Sequence, residues 1–174
     1  LQAFRNAANS LNTVTTQGFS MGVNHYFANY IVLNGNYSWN KLIKAAEDDP
    51  IIPAFNTPEH KFNLGLSARD LDVILGGFKI RNVGFKVNYK WIEGFLFEGS
   101  PQFTGFIPTY DLVDAQVNFR FDKIDTTMKI GASNILDNRS FQTYGGPRIG
   151  RLAYISFVYN PGKEYKLNNR KKNK

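Results

Sequence analysis

The chain has 174 residues, of which 43% are hydrophobic and 15% aromatic, so it is neither disordered nor of low complexity. It contains no cysteine, which excludes disulfides, thiolate nucleophiles and cysteine metal sites. The formal net charge is +7, but residues 163–174 alone hold six Lys or Arg and one Glu. A terminal basic run of this kind is more typical of a solvated tail than of a nucleic-acid-binding arm.

The sequence shows neither a transmembrane helix nor the features of a complete N-terminus. No apolar run approaches the length of a transmembrane helix. No signal peptide precedes Leu1, and the chain lacks an initiator Met. We therefore expect a processed product or a piece of a longer protein.

Seven segments alternate apolar and polar residues with period 2, which predicts β-strands with one apolar and one polar face. In chain order they are residues 17–27, 31–40, 61–69, 83–97, 112–121, 128–133 and 152–160. The segment 83–97 is the longest, and at roughly 3.3 Å per residue it predicts a strand of about 50 Å. Residues 1–11 provide a candidate eighth strand, and no segment shows a convincing helical period.

The connections between these segments alternate in length. Tight connections at 28–30 and 122–125 alternate with long ones at 41–56, 98–108 and 136–150, and the connection at 70–82 is intermediate. In an up-and-down sheet this alternation places the long loops at one end and the tight turns at the other, as in outer-membrane barrels. The last strand follows a long loop, so the carboxyl terminus is predicted to be periplasmic.

The composition of the two faces predicts which of them meets water. The polar face is rich in Asn, Gly and Ser, and its charges are mostly basic, which favours a wet lumen over the outer surface of a soluble barrel. The apolar face is then predicted to meet lipid, with girdle aromatics at Phe27, Trp39, Trp91, Phe121 and Tyr159. The residues predicted to face the lumen are Lys61, Arg69, Lys86, Asn88, Lys90, Asp114, Arg120 and Lys129.

No catalytic or metal-binding constellation emerges from the sequence, so we predict neither an enzyme nor a cofactor. His25 and His60 lie on different strands without nearby Asp, Glu or Cys at ligand spacing. The acidic run 47–49 lacks the alternate-residue spacing of a calcium loop and is interpreted as a solvated loop.

Substrate contacts are expected in the long loops, because loops on a rigid barrel carry specificity. The alternative is that their aromatic residues pack loop against loop. The main candidates are Phe103, Phe106, Phe141, Gln142, Tyr144 and Arg148. Further candidates are Phe55, Asn56, Phe97 and Gln102.

Four stretches, residues 56–71, 85–100, 107–121 and 127–160, carry a family resemblance. The most specific element is the block Lys-Ile-Gly-Ala-Ser-Asn-Ile-Leu-Asp-Asn at 129–138, followed by Gly-Pro-Arg-Ile-Gly-Arg at 146–151 and a terminal aromatic strand. Over residues 14–160 the chain resembles the C-terminal end of the β-barrel of TonB-dependent outer-membrane receptors, particularly those of Bacteroidota.

The resemblance implies a 22-stranded barrel with an N-terminal plug that imports a nutrient with energy transmitted by TonB. The implied partners are outer-membrane lipid, the remainder of the barrel, the plug domain, the TonB system and a surface lipoprotein, with no nucleic acid. Family members usually end on an aromatic residue that the assembly machinery reads, whereas a fifteen-residue extension follows Tyr159 here. The terminal-strand aromatics are Tyr154, Phe157 and Tyr159.

Together these observations predict an all-β fold, an antiparallel up-and-down transmembrane barrel segment of about seven or eight strands from a larger barrel in the bacterial outer membrane. Residues 1–160 would form the strands, and residues 161–174 a basic tail. The predicted function is that of the C-terminal barrel portion of a TonB-dependent transporter. Two alternatives stay open: a complete eight-stranded outer-membrane barrel with a structural or adhesive role, and a soluble ligand-binding β-barrel.

Overall fold

A computed structural model describes residues 13–27, 30–44, 55–76, 78–99 and 103–161. The candidate eighth strand at 1–11, the acidic run 47–49, Gln102 and the tail beyond residue 161 lie outside the described residues. The nine strands are β1 Thr15–Phe27, β2 Ile31–Lys44, β3 His60–Leu75, β4 Phe78–Ile92, β5 Phe95–Glu98, β6 Thr104–Ile107, β7 Tyr110–Phe121, β8 Thr126–Ser133 and β9 Leu152–Tyr159. No helix among these residues is long and apolar enough to cross a membrane.

Seven of the strands form one antiparallel sheet in the order β1-β2-β3-β4-β7-β8-β9, and β5 pairs with β6 in a separate hairpin. Every neighbouring pair in the large sheet is antiparallel and is connected in chain order. This arrangement confirms the predicted all-β meander. In the described part of the chain the sheet is open, with β1 and β9 at its two edges.

The prediction of a single strand over 83–97 is wrong, because the strand is interrupted at Glu93 and Gly94: β4 ends at Ile92 and β5 begins at Phe95. The pairings Ile92–Tyr110 and Phe95–Ile107 keep the same register across this gap. The Gly94 N–H donates to Oγ1 of Thr109 at 2.9 Å. A Cβ at Gly94 would lie 2.8 Å from the carbonyl oxygen of Ile107, so only glycine allows this close approach. β4 is long nevertheless, since it begins upstream at Phe78.

The intermediate connection predicted at 70–82 is also wrong, since β3 continues to Leu75 and β4 begins at Phe78. Two β-bulges interrupt the alternation that would have revealed these ends. They lie at Asp70 and Asn82, which have φ of 54° and 57°. The connection between β3 and β4 is therefore short, and the connections between the described strands of the large sheet alternate between short and long.

The described residues enclose almost no hydrophobic core. The buried hydrophobic residues are Ala68, Val83, Ile107 and Tyr110. Large apolar side chains instead stand exposed across the sheet, as at Val23 on β1, which is 67% exposed, and Phe157 on β9, which is 68% exposed. An exposed apolar face of this extent indicates contact with a partner or a membrane.

Candidate functional site

The long connections meet at one end of the sheet. The side chain of Asn56, which precedes β3, joins the backbone of Glu98 at the end of β5. Its Nδ2 donates to the Glu98 carbonyl oxygen at 2.9 Å, and its Oδ1 accepts from the Glu98 N–H at 2.6 Å. These two bonds fix the β2–β3 connection against the β5–β6 hairpin, although the residues are 42 positions apart.

A cleft of about 540 Å³ lies between the end of β2, residues 55–59 and the hairpin. This volume falls within the range of ligand pockets, roughly 300–1,000 Å³. Its apolar lining consists of Leu42, Phe55, Phe95, Leu96 and Phe106. Its charged lining consists of Lys41, Glu59, Glu93 and Glu98.

Glu59 is the best-partnered carboxylate of the cleft. Trp39 Nε1 donates to its Oε1 at 3.1 Å, and Nζ of Lys41 lies 3.6 Å from the same oxygen. The hydrogen bond from Trp39, followed by the positive charge of Lys41, lowers the pKa of Glu59 below its ordinary value. Since Lys41 balances Glu59, the carboxylates of Glu93 and Glu98 leave the cleft with an excess of negative charge.

The structure separates the six main loop candidates into different roles. Phe106 lines the cleft and is 63% exposed. Its ring also lies against Gly94, where a Cβ would be 2.8 Å from Cζ of Phe106. The rings of Tyr144 and Phe103 pack on Gly105 and Gly145 in the same way, but they do not line the cleft. Loop-against-loop packing therefore accounts for these two aromatics.

The other main candidates lie in the β8–β9 connection. The guanidinium carbon of Arg148 lies 4.4 Å from the ring centroid of Phe141, within cation–π range. Gln142 is exposed. None of these three residues lines the cleft.

A hydrogen-bond network around Asn134, at the start of the β8–β9 connection, was not predicted from the sequence. Asn134, which is 5% exposed, donates from its N–H to Oδ1 of Asp114 at 2.8 Å. Its Nδ2 donates to the carbonyl oxygens of Asn138 and Ile149, and its Oδ1 accepts from the Asn138 N–H at 2.9 Å. Nδ2 of Asn138 then donates to the backbone oxygen of Asp111 at 2.9 Å. This network holds the connection against the start of β7.

Asp137 extends this hydrogen-bond network to the start of β9. Its Oδ1 accepts from the Arg151 N–H at 2.8 Å, and its Oδ2 lies 3.3 Å from Nε of Arg139. The bond from Arg151, followed by the charge of Arg139, lowers the pKa of Asp137 below its ordinary value. The sequence signal was the specific block 129–138, but its role depends on contacts that the sequence does not display.

The residues predicted to face the lumen share the polar face of the sheet. Lys90 pairs with Asn63, Lys86 pairs with Gln116, and Asn88 lies between Gly65 and Asp114. Lys61 lies on the same face of β3, two residues before Asn63. At the other side of the sheet, Lys129 pairs with Asn118, and Arg120 forms an ion pair with Asp122 at 2.9 Å. Arg69 lies beside the bulge in β3 and is exposed.

Comparison with known protein families identifies the family to which this architecture belongs. A family model described as TonB dependent receptor-like, β-barrel, matches residues 2–135. The chain belongs to the TonB-dependent receptor-like β-barrel family. No match was found among curated proteins or among solved structures.

Membership of the TonB-dependent receptor family places the chain in the bacterial outer membrane. Members of this family are transporters and not enzymes, and in the full proteins the barrel works with a plug domain and with TonB. Among the described residues of this receptor barrel, no group of three or more His, Cys, Asp or Glu could hold a metal ion.

The receptor barrel carries a band of aromatic rings on its apolar face. Phe19 lies 5.8 Å from both Tyr37 and Trp39, measured between ring centroids. Phe62 stacks on Trp91 at 5.4 Å. Trp39 and Trp91, which the sequence places in an interfacial girdle, both belong to this band.

The two histidines of the receptor barrel are accounted for by ring contacts. Nδ1 of His60 lies 2.6 Å from the Tyr37 hydroxyl, and the two rings stack. His25 lies 4.3 Å from the Phe27 ring in an edge-on arrangement. Each is therefore a packing residue of the apolar face rather than part of a histidine pair.

Proposed function

We propose that this chain forms the C-terminal strands of the barrel of a Bacteroidota-type TonB-dependent outer-membrane transporter, which takes up a nutrient with energy supplied through TonB. Its partners are outer-membrane lipid, the remaining barrel strands, a plug domain, the TonB system and a surface lipoprotein. The observation that carries this proposal is the exposed apolar face that runs across the seven-stranded sheet.

The apolar face favours lipid contact over a soluble barrel. Met21, Leu64 and Ile155 on the apolar face are all exposed, and the opposite face, rich in Asn, Gly and Ser with mostly basic charges, suits a wet lumen better than the outer surface of a soluble barrel. Exposure of such a surface to water costs roughly 25 cal/mol per Å². Lipid removes this cost while the strands satisfy their backbone groups by pairing with one another.

The open sheet supports the proposal of a larger barrel. An unpaired strand edge in lipid leaves N–H and C=O groups without partners, at several kcal/mol for each group. The edges of β1 and β9 therefore require further strands. Pairing with the rest of a receptor barrel satisfies this requirement.

The orientation follows from the connections. The long connections, with the cleft, would face the cell surface, and the tight turns and the end of β9 would face the periplasm. The polar face would line the lumen, where Lys61, Lys86, Lys90 and Lys129 provide positive charge. Asp114, the acidic residue of the predicted set, is engaged by the N–H of Asn134.

The experiment that tests the proposal is denaturing intact-mass analysis of the native particle purified in detergent. A chain much larger than 19.8 kDa that contains this sequence, or a larger polypeptide that co-purifies with it, is the expected result. A lone 19.8 kDa chain that is folded in detergent would instead indicate a small closed barrel. That outcome would exclude the transporter.

A further inference from the structure

One edge of β5 directs backbone groups into the cleft. In an antiparallel pair, alternate residues point their N–H and C=O toward and away from the partner strand. The Gly99 N–H donates to the Phe103 carbonyl oxygen at 3.2 Å, so Gly99 points toward the β6 side. Glu98 bonds through both backbone groups to Asn56 and therefore points away from β6. By the same alternation, Leu96 also points away from β6, and it lines the cleft.

Asn56 shows what chemistry this edge accepts. Its primary amide supplies one donor and one acceptor to the backbone of Glu98, as the peptide group of an adjacent strand would. Along the edge, the next residue with the same orientation is Leu96. β5 and β6 form a two-stranded sheet in the described part of the chain, so no described strand is hydrogen-bonded to this edge, which is contacted at Glu98 by the side chain of Asn56.

The walls of the cleft define the side chains that would suit an added strand. Phe55, Leu42 and Phe106 provide apolar surface. Glu93 and Glu98 provide negative charge that Lys41 does not balance, because Lys41 pairs with Glu59. A strand that alternates apolar and basic residues matches both features, since successive side chains point to opposite sides.

We propose that the β5 edge at Leu96 binds an extended peptide with apolar and basic side chains, which adds to the hairpin as a further strand. Strand addition of this kind takes its affinity from backbone hydrogen bonds and its specificity from side-chain pockets. The inference deepens the proposed function by naming its substrate class, and it rests on that function for access to the cleft from the cell surface.

The test is binding of a fluorescent seven-residue peptide of alternating lysine and valine to the intact receptor in detergent, measured by anisotropy. Two control peptides isolate the two sources of recognition. In one, glutamate replaces lysine and reverses the charge. In the other, N-methyl groups on alternate residues remove backbone donors while keeping the charge and the side chains. Both controls are expected to bind at least about three-fold more weakly, given the typical worth of a hydrogen bond.

Two variants of Leu96 separate the contribution of its backbone N–H to peptide binding from that of its side chain. Leu96→Pro removes the N–H that faces the cleft without removing a bond between β5 and β6, and proline is tolerated at a strand edge. Leu96→Ala keeps the N–H and loses the side chain. We expect Leu96→Pro to bind the lysine–valine peptide about three- to ten-fold more weakly than Leu96→Ala. Heat-modifiable electrophoretic mobility shows whether each variant is folded.

Two results would overturn the inference. One is equal binding of the parent and N-methylated peptides by the unmodified receptor, a comparison that needs no variant to fold. The other is equal binding by folded Leu96→Pro and Leu96→Ala. Because binding in detergent requires neither TonB nor an energised membrane, these results leave the proposed function standing. Uptake that persists without TonB would contradict the proposed function and leave peptide binding intact.

Discussion

Tyr154 on β9 donates a 2.9 Å hydrogen bond to Oε1 of Gln116 on β7, across the intervening strand β8. The ring passes over Gly131, where a Cβ would lie 2.7 Å from the Tyr154 hydroxyl oxygen. An aromatic side chain thus covers a glycine of the polar face, a device that helps to fix the register of strands. The terminal strand is tied to the sheet by a side chain as well as by its backbone.

Removal of this hydroxyl tests its contribution. Tyr154→Phe keeps the ring over Gly131 and leaves Gln116 without this donor, so the free energy of unfolding is expected to fall by about 1 kcal/mol. Gly131→Ala should cost more, because the new Cβ would also lie 2.9 Å from the backbone oxygen of Ala115. Urea unfolding of the barrel in detergent measures both. If the two variants match the parent protein, the contact is incidental.

The hydrogen-bond network around Asn134 predicts the order of stability of two variants at this position. Asn134 has φ of 50°, which glycine adopts freely and alanine does not. Asn134→Gly loses the side-chain hydrogen bonds and should lower stability by about 2 kcal/mol. Asn134→Ala should be worse by about 1 kcal/mol more, because of backbone strain. Urea unfolding ranks the two variants, and an alanine variant as stable as the glycine variant would contradict a strained backbone.

Asp137 predicts a pH dependence with a defined sign. Its folded pKa lies below the ordinary value of 3.8, chiefly because of the bond from the Arg151 N–H. Its stabilising effect should be present above that ordinary value and disappear as pH falls through the folded pKa. The control is Asp137→Asn, which cannot titrate. The difference in thermal midpoint between the parent and this variant should be constant from pH 7 to pH 5 and shrink as the pH falls below 3.8. A difference that grows on acidification would contradict the sign.

Alternation of side chains revealed the strands of the sheet wherever the backbone is regular, and it failed where single residues depart from regularity. Asp70 and Asn82 adopt positive φ and shift the pairing register, so the ends of β3 and β4 escaped prediction. The site was harder to predict for another reason. Asn56 and Glu98 are far apart in the sequence, and their contact follows from the three-dimensional path of two connections rather than from any local pattern.

The absence of cysteine makes the proposed orientation testable by labelling. Gln142→Cys places a thiol in the long β8–β9 connection, and Lys123→Cys places one in the tight turn between β7 and β8. Both native side chains are exposed. On intact cells, a membrane-impermeant maleimide should label only Gln142→Cys, and Lys123→Cys should react after the outer membrane is permeabilised. The reverse pattern would place the cleft in the periplasm.

Phe106 and Tyr144 offer a matched pair, because both are exposed aromatics whose rings lie against a glycine, but only Phe106 lines the cleft. Phe106→Ala should weaken binding of the lysine–valine peptide by about ten-fold, which is typical of an aromatic anchor in an interface. It should also cost about 1 kcal/mol of stability, because the Phe106 ring packs against Gly94. Tyr144→Ala should leave this binding unchanged while costing a similar amount of stability, about 1 kcal/mol, since its ring packs on Gly105. Anisotropy and urea unfolding on both variants complete the comparison. Equal loss of binding in the two variants would mean that the cleft depends on packing between the loops rather than on Phe106 itself.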